Sequence, residues 1–578
     1  MKRKCIRNSK TVLARISAGI LTAAMILTSV PQTWVVSAAA KDGFARSEAK
    51  SAAVLDGEEG ERTRLFNDSW LFQLEPEGDP QESDYDDSQW RSLTLPHDWS
   101  IEQDFDLGSG DDHTGGGQGR LPGGKGWYRK YFTLPRAYEG KRVNIDFDGV
   151  YLDSYIYVNG KLVGNYPEGY VPFSFDITDY VVCDGVTENV IAVSVNNPTT
   201  KADGGPTSRW YSGSGIYRDV HLTVTEPVHV KQYGTVIRMP DIKTEYDTET
   251  KKGKVSLEVN TTVENEGSKK EEVSVRSTIL NYEDDTVFEG AEAAVTAPKT
   301  AEAGEKVEFQ QEMVAVDPKL WSVEEPNLYK LRTEILVGDQ VVDTYEERFG
   351  FSWSEFDADE GFFLNGEWMK LQGVCLHHDQ GSLGSVANPT AMARQIRIMK
   401  EMGVNAIRTA HNAASPEFIR ICDEMGMLVN EESFDGWSKD SSFAKACTHP
   451  DAENYVEGEQ ITWGEFDIQQ IVKKDRNHPS IILWSIGNEV YDSRNQYGYT
   501  AGTKLIRAVK HVDQDHPVTT GENKYKLEWD NQTAIDWMTK VSDELDVVGL
   551  NYAEYHTPIL HEMHPDWKIY GSEQSSAI

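Results

Sequence analysis

Two glutamates each close an apolar, strand-like run of this sequence. Glu489 follows residues 481–488 (IILWSIGN), and Glu573 follows residues 568–572 (KIYGS). The carboxyl ends of the strands in a parallel α/β barrel surround the site of chemistry, so both carboxylates are predicted to lie at the barrel mouth. Hydrolysis of a glycosidic bond requires such a pair, with one carboxyl group as the proton donor.

The elements that must position these glutamates begin after Phe363, where the sequence changes to alternating strands and helices. Strands are predicted at residues 369–378, 406–409, 427–431, 481–489, 518–522, 546–552 and 569–573, and amphipathic helices at 389–402 and 415–425. Alternating segments of this kind predict a parallel sheet. A closed barrel of this type has eight strands. Because only seven are visible, residues 351–578 are expected to form a (β/α)8 TIM barrel that lacks its last strand.

The region before the barrel has the pattern of β-structure. Residues 64–226 alternate in polarity and are broken by turn residues such as Asn159–Gly160. They predict a jelly-roll sandwich, a fold that resembles sugar-binding modules. Residues 227–350 suit an immunoglobulin-like sandwich. The predicted fold class is therefore multidomain, β followed by α/β.

The N-terminus resembles a secretory leader. Residues 1–40 contain no acidic residue, and six basic residues precede an apolar stretch at 16–30 and small residues at 37–40. The apolar stretch is shorter than the roughly 20 residues that span a membrane. We expect a signal peptide cleaved at about residue 38–40, a linker at 41–63, and a secreted or cell-surface protein without a membrane span in the mature chain. An uncleaved membrane anchor is the alternative.

The composition narrows the class of partner. The chain has 57 Lys and Arg against 94 Asp and Glu, a formal net charge of −37. Such a surface repels nucleic acids and anionic membranes and favours a neutral substrate over a polyanionic one. The five cysteines show no CxxC spacing, which argues against a zinc site or a disulfide framework, and we expect buried free thiols. No cofactor is expected, and a homo-oligomer is compatible with the sequence.

Short motifs in a fixed order carry a resemblance to a known family. They lie at residues 95–99 (LPHDW), 127–130 (WYRK), 211–218 (YSGSGIYR), 405–411 (NAIRTAH), 475–480 (DRNHPS) and 487–489 (GNE). In this order and spacing the chain resembles glycoside hydrolase family 2, which contains β-galactosidases, β-glucuronidases and β-mannosidases. The resemblance runs from about Arg64 to the end of the chain. It implies the domain order jelly roll, immunoglobulin-like domain and barrel.

The resemblance also implies roles for the residues at the strand ends. Glu489 would be the general acid/base, and Asn488 beside it would donate a hydrogen bond to the sugar 2-hydroxyl. Glu573 would be the nucleophile, oriented by Arg408 and hydrogen-bonded by Tyr552. A structural ion pair and core packing are the respective alternatives for Arg408 and Tyr552.

Three further residues are predicted to contact substrate. His377, after the first barrel strand, is the expected sugar-contacting histidine of the pair 377–378. His411 follows Arg408 and is within reach of a carboxylate. Asp435 and Trp437 occupy the places where magnesium-dependent relatives carry a Glu and a His ligand. An indole cannot ligate a metal, so no metal site is expected. Asp435 is instead predicted to contact sugar hydroxyls and Trp437 to form a stacking wall.

These expectations leave three functions open. The leading one is a secreted, retaining exo-glycosidase that hydrolyses terminal β-D-galactosides. The second is a β-glucuronidase of the same family, whose carboxylate-recognising residues would follow the nucleophile beyond the point where this sequence stops. The third is a non-catalytic carbohydrate-binding protein, which applies if the chain truly ends at residue 578.

Overall fold

The computed structural model describes residues 62–106, 120–198, 210–437, 448–450, 452 and 454–574. The predicted signal peptide, nearly all of the predicted linker and much of the glycine-rich loop at 108–126 lie outside these residues. None of the helices in the described ranges is long and apolar enough to cross a membrane.

Two antiparallel sheets form the first domain. One has the order β1-β10-β5-β8 and the other β3-β2-β4-β9-β6-β7. Alternating positions of β6 point Ile156 and Val158 into a core that also contains Trp70 and Tyr128. The strands are β1 Thr63–Leu65, β2 Trp70–Leu74, β3 Arg91–Leu93, β4 Gly124–Phe132, β5 Arg142–Phe147, β6 Ser154–Val158, β7 Lys161–Tyr166, β8 Phe173–Asp176, β9 Asn189–Asn197 and β10 Val220–Thr225.

A second antiparallel sandwich follows. In one sheet β13 pairs with β11, β12 and β17, and in the other β14 pairs with β15, β16 and β18, which pairs with β19. Strict alternation along β13 buries Val255, Leu257 and Val259 between the sheets. The strands are β11 Val228–Arg238, β12 Tyr246–Asp247, β13 Lys252–Asn265, β14 Glu271–Asn281, β15 Ala294–Val295, β16 Lys299–Ala301, β17 Lys306–Val316, β18 Tyr329–Val337 and β19 Gln340–Phe349.

A three-stranded antiparallel sheet lies between the sandwiches and the barrel strands. Its strands are β20 Ser354–Asp357, β21 Gly361–Leu364 and β22 Glu367–Trp368. Phe362 and Leu364 pack against Leu428 and Ile482, which lie at the amino ends of two barrel strands. This sheet therefore closes the end of the barrel opposite the predicted site.

Seven parallel strands in sequential order form the barrel sheet. They are β23 Gly373–Leu376, β24 Ala406–Thr409, β25 Leu428–Glu432, β26 Ile481–Asn488, β27 Val518–Glu522, β28 Val548–Asn551 and β29 Ile569–Glu573. The five inner strands are buried along their whole length, whereas β23 at one edge is partly exposed. The predicted fold class, including a barrel that is one strand short, is confirmed. The first strand is shorter than the predicted 369–378.

The helices of the barrel begin at recognisable caps. Asn388 and Ser415 accept backbone N–H groups of the first turn and are each followed by proline, and Thr462 and Glu465 form a capping box. The helices of the described chain are α1 Ile242–Glu245, α2 Pro389–Glu401, α3 Pro416–Met425, α4 Trp463–Asp475, α5 Gln496–Val512, α6 Lys524–Leu527, α7 Gln532–Ser542 and α8 Thr557–Met563.

The first sandwich is attached to the barrel by buried polar contacts. Arg218, which is 1% exposed, donates to the carbonyl oxygens of Ala413 at 2.7 Å and Ala414 at 3.3 Å. Tyr166 donates to Asp467 of α4 at 2.8 Å. Because the loop 411–415 follows β24 at the carboxyl end of the sheet, the sandwich braces the barrel at its predicted site.

Candidate active site

Glu489 follows directly after β26, whose eight residues are all buried. Its backbone has a φ of +46°, a left-handed conformation that is rare for residues other than glycine. The Glu489 N–H donates to the Gly521 carbonyl at 2.6 Å, and Asn551 Nδ2 donates to Glu489 Oε1 at 3.3 Å. Such a backbone persists where its surroundings over-determine it, as at functional sites.

Glu573 ends β29 and is held by two donors. Arg408 Nη1 donates to Glu573 Oε1 at 2.7 Å, and the Tyr552 hydroxyl donates to Glu573 Oε2. His411 Nε2 lies 3.7 Å from Glu573 Oε1. The hydrogen bond to Glu573, followed by burial, raises the pKa of Tyr552 well above its ordinary value, so this phenol stays a donor. The structure thus brings Arg408, Tyr552 and Glu573 together as predicted.

A buried ion pair lies beneath the two glutamates. The Arg408 guanidinium donates through Nε and Nη2 to both oxygens of Glu432, each at 3.0 Å. His411 Nδ1 and Ser485 Oγ contact the same carboxylate at 2.6 Å. Burial alone would raise the pKa of Glu432, but the Arg408 charge and the His411 hydrogen bond outweigh it and lower the pKa.

Sequence reasoning did not identify Glu432. It ended the third strand at Glu431, whereas β25 runs to Glu432. Neighbouring strand residues point to opposite faces, so of two consecutive glutamates one must face the interior. Glu431 faces the other way, where its Oε1 accepts from the Ala414 N–H at 3.1 Å. The doubled glutamate at a strand end was the available signal.

Asn488 and Asn551 connect the two catalytic candidates. Asn488 Oδ1 accepts from Arg408 Nη2 at 2.8 Å and from Asn551 Nδ2 at 3.0 Å, while Asn488 Nδ2 donates to Asp435 Oδ1 at 3.0 Å. Asn551 lies opposite Glu573 in the register of β28 and β29. These contacts place the predicted residues Asn488 and Asp435 in the same network as both glutamates.

His377 contributes to an aromatic wall beside this network. Its ring stacks on Trp210 with centroids 5.1 Å apart and meets His411 edge-on at 5.4 Å. Burial, and then the nearby His411, lower the pKa of His377, which favours the neutral ring. Trp210 comes from the first domain and was not predicted, because its sequence position says nothing of its contact with the barrel.

His378 points away from the wall. Its ring meets Tyr170 at 5.3 Å, and burial lowers its pKa to about 3. The alternation of side chains along an extended segment thus separates the two histidines. Only His377 of this pair contacts the aromatic wall.

Trp437 lies in the apolar core and not on the surface of the site, contrary to the prediction. It is 3% exposed, belongs to the main apolar core, and its Nε1 donates to the Ile486 carbonyl at 2.7 Å. Its ring lies where a Cβ on Gly487 or Gly502 would clash, so it packs closely against the backbones of β26 and α5. A side chain buried in this way supports the strand that carries Glu489, and it cannot form the predicted stacking wall.

Two observations bear on the thiols and on metal binding. Of the described free cysteines only Cys422 is buried, whereas Cys375 on the edge strand is exposed and lies 3.5 Å from Arg408 Nη1. One described group, Asp148, Asp219 and His221, has ligand atoms within 4.8 Å of one another. That group belongs to the first sandwich and its junction with α3, not to the network around Glu489 and Glu573.

The chain is similar to known proteins along most of its length. Models described as "Glycosyl hydrolases family 2, sugar binding domain", "Glycosyl hydrolases family 2" and "Glycosyl hydrolases family 2, TIM barrel domain" match residues 117–227, 235–351 and 358–567. Beta-galactosidase BoGH2A of Bacteroides ovatus is 36% identical over 89% of this chain and 59% of its own length. A beta-glucuronidase of Formosa agariphila is 29% identical over 82% of this chain and 46% of its own length.

Solved structures give the same result. A glycosyl hydrolase family 2 member from Bacteroides cellulosilyticus superposes with a TM-score of 0.75 at 33% identity, covering 89% of this chain and 63% of that one. Bacteroides uniformis beta-glucuronidase superposes with a TM-score of 0.70 at 27% identity, covering 88% and 58%. The chain therefore spans between 46% and 63% of the length of these relatives.

Proposed function

Because the chain belongs to glycosyl hydrolase family 2, we propose that the protein hydrolyses terminal β-D-galactosides with retention of configuration. The observation that carries this proposal is the shared network of Glu489 and Glu573, which Asn551 and Arg408 join across four strand ends. Two carboxyl groups at one barrel mouth are the machinery of glycoside hydrolysis, and the resemblance to the family implies the double displacement.

The roles of the two glutamates follow from their contacts. Arg408 donates to Oε1 of Glu573 and Tyr552 donates to Oε2. These hydrogen bonds favour the ionised carboxylate, which is the form that attacks the anomeric carbon. Glu573 forms the bond to that carbon while Glu489 gives its proton to the departing oxygen. Glu489 then takes a proton from the water that attacks the anomeric carbon of the glycosyl-enzyme. The bond from that carbon to Glu573 breaks, and the free Glu573 carboxylate is restored.

The choice of sugar rests on the similar proteins and on the net charge of the chain. Similarity to a beta-galactosidase at 36% identity and a net charge of −37 favour a neutral galactoside. Similarity to beta-glucuronidases favours the second candidate, a β-glucuronidase. Trp210 and His377 offer aromatic and polar surface that suits either sugar ring.

Chromogenic substrates distinguish these candidates. The full-length protein encoded by the gene should release nitrophenol from a β-D-galactoside at least about tenfold faster, in kcat/KM, than from the β-glucuronide or β-mannoside, which corresponds to about 1.4 kcal/mol. No release from the galactoside would refute the proposed specificity. Binding of galactosides without hydrolysis of any substrate would favour the non-catalytic carbohydrate-binding protein.

We also propose that the protein acts outside the cell. The support is the basic, then apolar, then small-residue pattern of residues 1–40. Expression with its own leader in a secreting host should yield extracellular protein whose N-terminus lies near residue 39 or 41. Protein retained in the membrane fraction with residue 1 intact would contradict this and favour the anchor.

A further inference from the structure

The end of β27 and the residues just after it hold the peptide groups on both sides of Glu489. The Glu489 N–H donates to the Gly521 carbonyl at 2.6 Å, and Lys524 Nζ donates to the Glu489 carbonyl at 3.1 Å. Lys524 is 8% exposed, and its Nζ also donates to Asn523 Oδ1 at 2.5 Å. The buried ammonium group of Lys524 thus donates a hydrogen bond to the backbone of the proposed acid/base residue.

The conformation of Glu489 explains why such a restraint is needed. A residue other than glycine at φ +46° stores about 1 to 3 kcal/mol of backbone strain, so it relaxes unless its neighbours prevent this. Because the carboxyl group is carried on this same backbone, a change in the φ angle of Glu489 would move the carboxyl group away from Asn551. The two hydrogen bonds to the Glu489 peptide groups oppose that change.

The loops after β26 and β27 are linked at a second place. Arg494, in the 3-10 turn Tyr491–Arg494, forms an ion pair with Glu528 just beyond α6. Asn531 Nδ2 donates to Glu528 Oε2 at 3.0 Å. The Lys524 N–H donates to the buried Glu522 at 2.6 Å, which fixes the start of α6. These contacts tie the two loops to each other, and the contact of Lys524 is the one made with Glu489 itself.

We propose that Lys524 is a positioning residue for Glu489, which fixes the direction in which the general acid delivers its proton. This inference rests on the proposed function. In the glycosylation step the Glu489 proton passes to the glycosidic oxygen as the anomeric carbon–oxygen bond breaks and Glu573 forms the new bond. A misplaced Glu489 slows this step for a leaving group that must be protonated and has little effect on one that departs as a stable anion.

Leaving groups of different acidity separate this role from a purely structural one. A 2,4-dinitrophenolate departs with little protonation, whereas a phenolate requires the general acid. In Lys524→Met, kcat/KM for phenyl β-D-galactoside should fall about 10- to 100-fold, the scale of a misplaced general acid. The value for 2,4-dinitrophenyl β-D-galactoside should fall less than about threefold. Lys524→Arg, which keeps a cationic donor, should recover most of the loss with the phenyl substrate.

Controls keep the outcomes distinct. Lys540→Met removes an exposed lysine of α7 and should leave both rates unchanged. Thermal unfolding of every variant shows whether it folds, and Lys524→Gln replaces Lys524→Met if the latter does not. Equal losses with both substrates, or no loss with phenyl galactoside, would overturn the role of Lys524. Failure of the wild-type protein to cleave either galactoside would instead refute the proposed function.

Discussion

At the scale of single residues, the site depends on donors that hold two carboxyl groups in fixed positions. Glu573 accepts hydrogen bonds from Arg408 and Tyr552, and Glu489 accepts one from Asn551. Glu489 and Tyr552 both adopt left-handed backbones, with φ of +46° and +54°. One of these two residues carries a candidate carboxyl group and the other contacts Glu573, and backbone strain of this kind is typical of functional sites.

Replacing Tyr552 with Phe tests the hydrogen bond to Glu573. The phenol donates in the free enzyme, and its loss leaves one oxygen of Glu573 without its fixed orientation. We expect kcat/KM for galactosides to fall about 10- to 100-fold with the fold intact. Steady-state kinetics and circular dichroism check this. Tyr499→Phe, on the outer helix α5, is the control, and a Tyr552→Phe rate equal to wild type would contradict the assignment.

At the scale of elements, Glu432 ties three adjacent strands together. It ends β25, and its carboxylate binds Arg408 of β24 and Ser485 of β26. Both Glu432 and Arg408 are buried, so each depends on the other for compensation of its charge. Arg408 in turn reaches Glu573 on β29. The ion pair therefore helps to fix the positions of the carboxyl ends of these strands relative to one another.

Glu432→Gln should lower the free energy of unfolding at pH 7 by about 3 kcal/mol, because the buried Arg408 guanidinium loses the carboxylate bound by its Nε and Nη2 and keeps the ion pair with Glu573. The folded-state pKa of Glu432 lies below its unfolded value of about 4.3. The ionised form thus contributes its full stabilisation above pH 4.3, and this contribution is lost as pH falls through the lower folded-state pKa.

The difference between wild type and Glu432→Gln should accordingly shrink below about pH 4. Urea unfolding at pH 7 and at lower pH measures it. Glu139→Gln removes a carboxylate that is 72% exposed and should change stability little at either pH. A difference that grows on acidification would show that the sign assigned to the pKa shift of Glu432 is wrong.

At the scale of the whole molecule, the first sandwich takes part in building the barrel mouth. Trp210 of that domain stacks on His377, and Arg218 binds the carbonyl oxygens of Ala413 and Ala414. The loop held by Arg218 begins at His411, which contacts both Glu432 and Glu573. The first sandwich thus supports the loop 411–415 at the end of the barrel sheet that carries Glu489 and Glu573.

Arg218→Ala should reduce both stability and activity. Removing a buried guanidinium that makes several charge-assisted hydrogen bonds should cost about 3 kcal/mol or more. Because the loop 411–415 loses its anchor, kcat/KM should fall together with the melting temperature. Calorimetry and galactoside kinetics report the two effects. Arg136→Ala, at a side chain that is 82% exposed, should change neither, and unaltered activity of Arg218→Ala would separate the sandwich from the site.

Local pattern was sufficient for much of the fold and for the acidic pair. Apolar runs ending in Glu489 and Glu573, with the β-then-α rhythm around them, predicted a parallel barrel and the end of it that carries chemistry. Arg408 and Tyr552 were predicted through their positions in family motifs. Trp437 was predicted wrongly because the sequence pattern around a tryptophan near a strand end is the same whether its side chain faces the substrate or the core. Its packing against Gly487 and Gly502 is visible only in three dimensions.

The sequence by itself determined the order of the domains, the strands of the barrel and the two glutamates, because these depend on periodicity and on residues adjacent in the chain. The tertiary structure alone decided the partners of those glutamates. Glu432, Trp210 and Lys524 reach the site through contacts between residues far apart in the chain or on different strands, and such contacts depend on strand register and side-chain direction. Residue types and spacing do not specify either of these.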